Sequence, residues 1–342
     1  MLFLYKPLAP DSCSKLNGPG PLLNPNNNPV IENANRTFIV YGNWTHPSLQ
    51  EILHRHIDIF MPAWLKSPVL STLKEYGINP GTMNPSPLYG GEIPSEIADS
   101  ELANRIDEGV KSGAFPEENQ FAIFLPMGTT VKLPIGNRSS CVPDEYGNYA
   151  GGYHYFTPKL QIPYRVHPFA CEITDMNPDD LSPKNITYAD NFNAKGGGHE
   201  DEEVLSDPWL QSFETAQGNE VADLCASDCD VSTILTSQGN FQVQGSYSNA
   251  NGRCMPPPNT CMSGNMTVEC PSDLPPPTKL PSHTLGTGAK AGIGVASVVG
   301  FPALSLGGAA AYARRYPDSR SGKLIRNKFL LLSKFLSHVL DL

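Results

Sequence analysis

The sequence lacks the basic surface that a nucleic-acid partner requires. Of its 24 Lys and Arg, 7 lie beyond Lys290, against 2 of the 34 Asp and Glu, so the chain before that point is strongly acidic. Such a surface repels phosphate, which excludes nucleic acid as a partner. A compact CxxC pair is also missing. Cys13, Cys141, Cys171, Cys225, Cys229, Cys254, Cys261 and Cys270 therefore read as disulfide partners in an oxidising compartment rather than as a zinc cluster. The opening MLFLYKPLAP has neither the apolar run of a signal peptide nor a cleavage pattern. Export is thus expected to rely on a start further upstream or on an internal membrane helix.

One long uncharged run is present. Residues 291–313 read AGIGVASVVGFPALSLGGAAAYA, 23 residues without a charge, and at about 1.5 Å per helical residue they span roughly 30 Å of hydrocarbon. Arg314 and Arg315 follow at once, so the positive-inside bias puts the basic tail 314–342 in the cytosol. Five N-x-[ST] sequons, at Asn35, Asn43, Asn137, Asn185 and Asn265, all precede this run, as expected for a glycosylated ectodomain. The reading is a single-pass cell-membrane protein with its ectodomain outside.

The 33 prolines and 30 glycines predict a loop-rich globule. Residues 1–34, with PGP and NPNNNP, read as a flexible arm, 35–254 as the folded ectodomain, and the Pro-rich 255–290 as an extended stalk. Within the core, Thr37 to Tyr41 is a strand candidate, and Ser48 with Glu51 marks a helix start in capping-box spacing. Ser95 to Ser112 is a second helix with Leu102, Ile106 and Val110 on one face; Phe121 to Leu125 and Thr129 to Leu133 are strands; a later helix covers about 199–207. This order gives an α+β, or mixed α/β, fold. His54 and His56, two apart on a helix, cannot face one ligand and read as solvated or satisfied, and His46 lies in a turn. Cys141 and Cys171 bracket a strand-rich stretch at a separation that neighbouring strands can bridge, so they are expected to pair, closing a loop worth a few kcal/mol.

Chemistry concentrates in Gly198-His199-Glu200-Asp201-Glu202-Glu203-Val204-Leu205-Ser206-Asp207-Pro208. On a helix His199 and Glu203 share a face one turn apart, as metal ligands, and Glu200 is placed to act as general base toward a metal-activated water. A Glu replaces the second His of ordinary zinc peptidases. The set suits a divalent metal, zinc first and calcium as an alternative. The competing reading of the acidic run is a solvated helix N-terminus favoured by the macrodipole. Asp207 is a candidate third ligand or, preceding Pro208, a helix end. Glu220 and Asp223 in GNEVADLC are candidate ligands or caps, and Cys225 bridged to Cys229 would hold that segment rigid. His154 is a candidate lining residue or a satisfied strand histidine.

FIVYGNW at 38–44, GYH at 152–154 after Cys141, HEDEEVLSDP at 199–208 and GNEVADLC at 218–225 stand in an order and spacing that resembles the EXORDIUM, or phosphate-induced, family of secreted proteins. The resemblance implies a cell-wall-associated protein linked to growth, with a zincin-like metallopeptidase-type core. His199, Glu200 and Glu203 match its His-Glu-x-x-Glu, Asp207 and Pro208 its Asp/Asn-Pro end, Glu220, Asp223 and Cys225 its G-x-E-x-x-D-x-C segment, and His154 its Gly-Tyr-His. A peptide or a cell-wall component is the implied partner. The chain departs from the family in carrying Gly196-Gly197-Gly198 before the His. Glycine costs about 1 kcal/mol each in a helix, so the helix is expected to start close to His199. Two functions compete: a metal-dependent, peptidase-like hydrolase, and a non-catalytic surface or growth-signalling protein on the same scaffold.

Overall fold

The computed structural model describes the backbone of residues 2–5 and residues 21–117, 120–134, 138–143, 149–226, 231–257 and 259–271. The membrane run 291–313, the tail 314–342, Asn137, Cys13 and Cys229 lie outside these residues. Among the described residues no helix is long and apolar enough to cross a membrane.

In chain order the elements are β1 (Leu2–Tyr5), β2 (Asn33–Tyr41), α1 (Pro47–His54), α2 (Met61–Trp64), α3 (Pro68–Thr72), β3 (Asn79–Met83), β4 (Leu88–Gly91), β5 (Glu96–Ala98), α4 (Asp99–Ser112), β6 (Gln120–Phe124), β7 (Thr130–Lys132), β8 (Tyr149–Phe156), β9 (Pro163–His167), α5 (Pro183–Ser206), β10 (Val231–Thr236), β11 (Gly239–Gln244), β12 (Ser246–Ser248), β13 (Arg253–Met255), β14 (Cys261–Ser263) and β15 (Met266–Val268). This is a mixed α/β fold. The main sheet runs β1-β8-β9-β6-β2-β3, with β4 also on β2. Its centre is parallel (β9, β6, β2, β3) and its β8 end antiparallel. A second sheet, β11-β10-β14-β15, and the pair β12-β13 form another layer.

Strand alternation sorts the main sheet into two faces. Thr37, Phe121 and Tyr164, aligned by the β2–β6 and β6–β9 registers, look toward α4. Phe121 meets Phe115 just past that helix, and Asp99 on it accepts hydrogen bonds from the hydroxyls of Tyr153 and Tyr164. The opposite face carries Phe38, Ala122, Arg165 and His154 in one cross-strand row, Arg36 and Gln120 in the row before it, and Val40, Phe124 and His167 in the row after it. Helix α5 lies on that face, and β11 covers its far side through Gln242 N–H donating to Asn191 Oδ1 (3.0 Å). Enclosed between two sheets, every α5 residue from Phe192 to Ser206 is buried.

Several sequence expectations are corrected here. α5 begins at Pro183, not near His199, because Ser182 and Asn185 form a capping box that starts it early. The three glycines sit inside the helix where rings press on it: a Cβ on Gly197 would come 2.9 Å from His56 Cε1, and one on Gly198 3.1 Å from the Trp64 ring. Close packing thus outweighs helix propensity. The acidic run after them is core, not a solvated face. α1 is capped by His46, whose Nδ1 accepts from Ser48 N–H, so the Ser48–Glu51 box does not form the cap. Glu96–Ala98 is strand, and α4 starts at Asp99.

At the N-terminal end, β1 pairs with β8, β2 begins at Asn33, and Leu22 and Ile31 are buried, so the described parts of 1–34 belong to the fold. Past residue 254, β14 and β15 pair within the stretch read as stalk, and Cys261–Cys270 ties them. Cys141 pairs with Cys171 as expected. Cys225 pairs with Cys254, not Cys229. These bonds place the fold in an oxidising compartment. Of the described sequons, Asn35, Asn43 and Asn265 are exposed, while Asn185 is half-buried as the capping residue.

A buried histidine–carboxylate centre

Three elements deliver the site. The C-terminal third of α5 brings His199, Glu200 and Glu203; β8 brings His154 from the sheet; and residues 218–225, pinned to β13 by Cys225–Cys254 and to β12 by Tyr247 N–H donating to Val221 O (3.2 Å), bring Glu220 and Asp223. Close contact of α5 with β8 depends on Gly152, where a Cβ would lie 3.1 Å from Glu200 Cγ.

Two sets of ligand atoms converge, each within 4.8 Å: His199, Glu203 and Asp223, and His154, Glu203 and Glu220. In the first, His199 Nε2 lies 3.1 Å from Glu203 Oε1 and 3.8 Å from Asp223 Oδ1. In the second, His154 Nε2 lies 3.3 Å from Glu220 Oε1, and Nδ1 lies 3.3 Å from Glu200 Oε2 and 3.5 Å from Glu203 Oε2. A tetrahedral centre with bonds near 2.0–2.1 Å holds its ligand atoms about 3.4 Å apart. His199, Glu200 and Glu203 are 1%, 0% and 0% exposed, and buried charges of this kind are found paired or bound to metal.

Electrostatics reinforce the geometry. Burial opposes charge on His154, yet Glu220, Glu200 and Glu203 hold its pKa well above the ordinary histidine value. Against the same penalty, Glu203 and Glu200 push His199 up to about 10. Burial, with Glu203 next to it, raises Asp223 well above the carboxylate range, whereas His199 and His154 overcome the burial of Glu203 and lower it. Protons thus stand where a cation would neutralise the carboxylates, and metal binding would compete with them. Among the described residues, the buried His154 Nε2, Glu200 Oε1 and Glu203 Oε2 find no hydrogen-bond partner. The donor set therefore fits a divalent ion on its own geometry.

Sequence reasoning selected His199, Glu203, Glu220, Asp223, Glu200 and His154, and all meet here. Asp207 does not join the ligand atoms. It ends α5 and accepts from Gln211 and Ser212 N–H, both at 2.5 Å, and burial beside Glu220 pushes it up to about 8. Sequence reasoning missed Gln244, whose Oε1 accepts from His199 Nδ1 (2.8 Å), and the role of Asp201. Asp201 turns from the centre to accept from Arg36 Nε (2.8 Å) and Nη2 (3.0 Å), Gln120 Nε2 (3.1 Å) and Trp64 Nε1 (2.9 Å), and it pairs with Arg165. This group locks α5 to that face of the main sheet. An open surface groove lies elsewhere, lined by Gly42, Asn43, Pro126, Met127, Thr174 and Asp175 beyond the carboxyl ends of β2 and β6.

No family model matches the chain, and no curated protein matches it. What the fold and site define is a disulfide-bonded, mixed α/β protein of an oxidising compartment with a buried His/Glu group able to hold a metal ion.

Proposed function

We propose that this chain is an extracytoplasmic metal-dependent hydrolase that cleaves amide bonds in peptides and is anchored to the membrane by residues 291–313. The observation that carries the reading is the convergence of His199, Glu203 and Asp223, from two separate segments, on one point beside Glu200. A long helix bearing His-Glu-x-x-Glu against a mixed sheet supports the zincin-like description, and the resemblance to the EXORDIUM family supports a secreted setting. A bound divalent ion would polarise water and the scissile carbonyl. Two imidazoles among carboxylates suit zinc, whereas calcium takes six to eight oxygens. Glu200 is the general base: Oε2 faces His154, Oε1 has no hydrogen-bond partner among the described residues, and burial raises its pKa, which strengthens it as a base.

The purified chain should retain zinc through dialysis. His199→Ala should remove that ion, while Glu200→Gln should keep it and lose cleavage of unstructured fluorogenic peptides. A wild-type chain that takes up neither zinc nor calcium on titration would sink the proposal. The enclosure of the site favours a second reading, in which the ion is structural and the protein a non-catalytic surface molecule. In that case stripping the metal lowers the melting temperature, and the loaded wild-type protein cleaves none of the peptides.

A further inference from the structure

We propose that the centre is built for two metal ions, with Glu203 bridging them. This rests on the metal-site reading above and changes its stoichiometry.

The two histidines are held in the same way. His199 Nδ1 donates to Gln244 Oε1 at 2.8 Å, which leaves Nε2 directed at Glu203 and Asp223. His154 Nδ1 donates to Glu200 Oε2 at 3.3 Å, which leaves Nε2 directed at Glu220. A side-chain oxygen on Nδ1 fixes the tautomer and orients the other nitrogen, as is usual around metal-binding imidazoles. That arrangement occurs twice, once for each set of ligand atoms.

Glu203 belongs to both sets. Its Oε1 lies 3.1 Å from His199 Nε2, its Oε2 lies 3.5 Å from His154 Nδ1 on the ring edge that Glu200 also faces, and one Glu203 oxygen comes within 4.8 Å of ligand atoms of both His154 and Glu220. His154 Nε2 and Glu220 Oε1 lie 3.3 Å apart, and His154 is 2% exposed. A donor nitrogen and a carboxylate oxygen at this separation are spaced as two ligands of one ion.

Glu200, Glu203, Glu220 and Asp223 crowd the two imidazoles, whereas Asp201 is already neutralised by Arg36 and Arg165. Paired ions about 3.5–4 Å apart, as in two-metal aminopeptidases, would share the activation of the attacking water and the polarisation of the scissile carbonyl. The N-terminal half of the motif then has a double role: Glu200 orients His154 through Oε2 and keeps Oε1 for the proton.

Zinc bound per chain, measured on the full protein after titration and gel filtration, tests the inference. Two ions are expected for the wild type, and one each for His154→Ala and His199→Ala. Intact Cys141–Cys171 and Cys225–Cys254 bonds and an unchanged near-UV circular dichroism spectrum serve as the folding check. Loading the wild type with Mn²⁺ gives a readout free of substitutions: an exchange-coupled pair is expected in the electron paramagnetic resonance spectrum. One zinc per wild-type chain with an isolated Mn²⁺ spectrum overturns the two-ion inference and leaves the hydrolase proposal standing. No ion at all overturns both.

Discussion

Two pairs of buried histidines flank α5 within one turn of each other, and they behave oppositely. His154 and His199 are ringed by carboxylates, and both are held above the ordinary histidine pKa. His56 and His167 pack 5.8 Å apart against Phe124 and the α5 backbone at Gly197. Burial, with Arg165 nearby, lowers His56 to about 3 and His167 well below its usual value. Depth is the same in all four, so burial does not distinguish a cation site from a plain core histidine. The neighbouring charge does: carboxylates prepare one pair for a cation, and a guanidinium would repel one from the other.

Asp201 separates these environments, and removing its charge gives the largest expected effect. It is the anion of Arg36 and Arg165, all three fully buried. Asp201→Asn leaves two guanidiniums without a counter-charge, and breaking a buried pair in this way costs about 3–5 kcal/mol. Urea denaturation should show a loss of that size. A loss below about 1 kcal/mol would mean that the arginines find other partners and that Asp201 does not divide the two pairs.

The next effect is a pH dependence. For His56 the folded pKa of about 3 lies below the unfolded value near 6.5, so the unfolded chain binds the extra proton. Its contribution to stability is complete above pH 6.5 and falls as pH drops toward 3, by about 1.4 kcal/mol per unit. Glu202 and Asp207, both pushed up to about 8 by burial, act in the opposite sense as pH rises from about 4 to 8. The wild-type curve alone therefore mixes the two, and the difference between wild type and His56→Phe isolates the histidine. On metal-free protein that difference should widen steadily from pH 6.5 to 4.5. Parallel curves would show that His56 takes its proton without opening the core.

The contrast between the pairs also marks what was legible in the sequence. HExxE on a helix, the strands around Phe38 and Ile123, and the Cys141–Cys171 bond follow from local spacing and propensity, and the structure has them. The length of α5 does not, because glycines at 196–198 argue against helix until Trp64, His56 and His167 are known to press there. Nor does the burial of Asp201: its partners Arg36, Gln120 and Arg165 lie on three strands between 36 and 165 residues away. Arg36 and Arg165 carry no local motif. His56, read beside His54 as an ordinary helical histidine, takes its character from β9, which no spacing reveals. Long-range registers supply what the motif lacks, including Gln244 and the Cys225–Cys254 bond that steadies Asp223.

The smallest effect expected is the most selective, because it touches only one pair. Gly197→Ala would gain about 1 kcal/mol of helix propensity. The added Cβ, however, would lie 2.9 Å from His56 Cε1 and 3.1 Å from His167 Cε1. Both belong to buried rings stacked among Phe60 and Phe124, with no free end to swing aside. Overpacking of this kind costs about 1–3 kcal/mol, so a net loss of about 1 kcal/mol is expected in denaturant. Bound zinc should be unchanged, since His199 and Glu203 face the other way and are fixed by Gln244 and the 218–225 segment. If Gly197→Ala instead empties the metal centre while the chain stays folded, the two histidine pairs are mechanically one site and the division drawn through Asp201 fails.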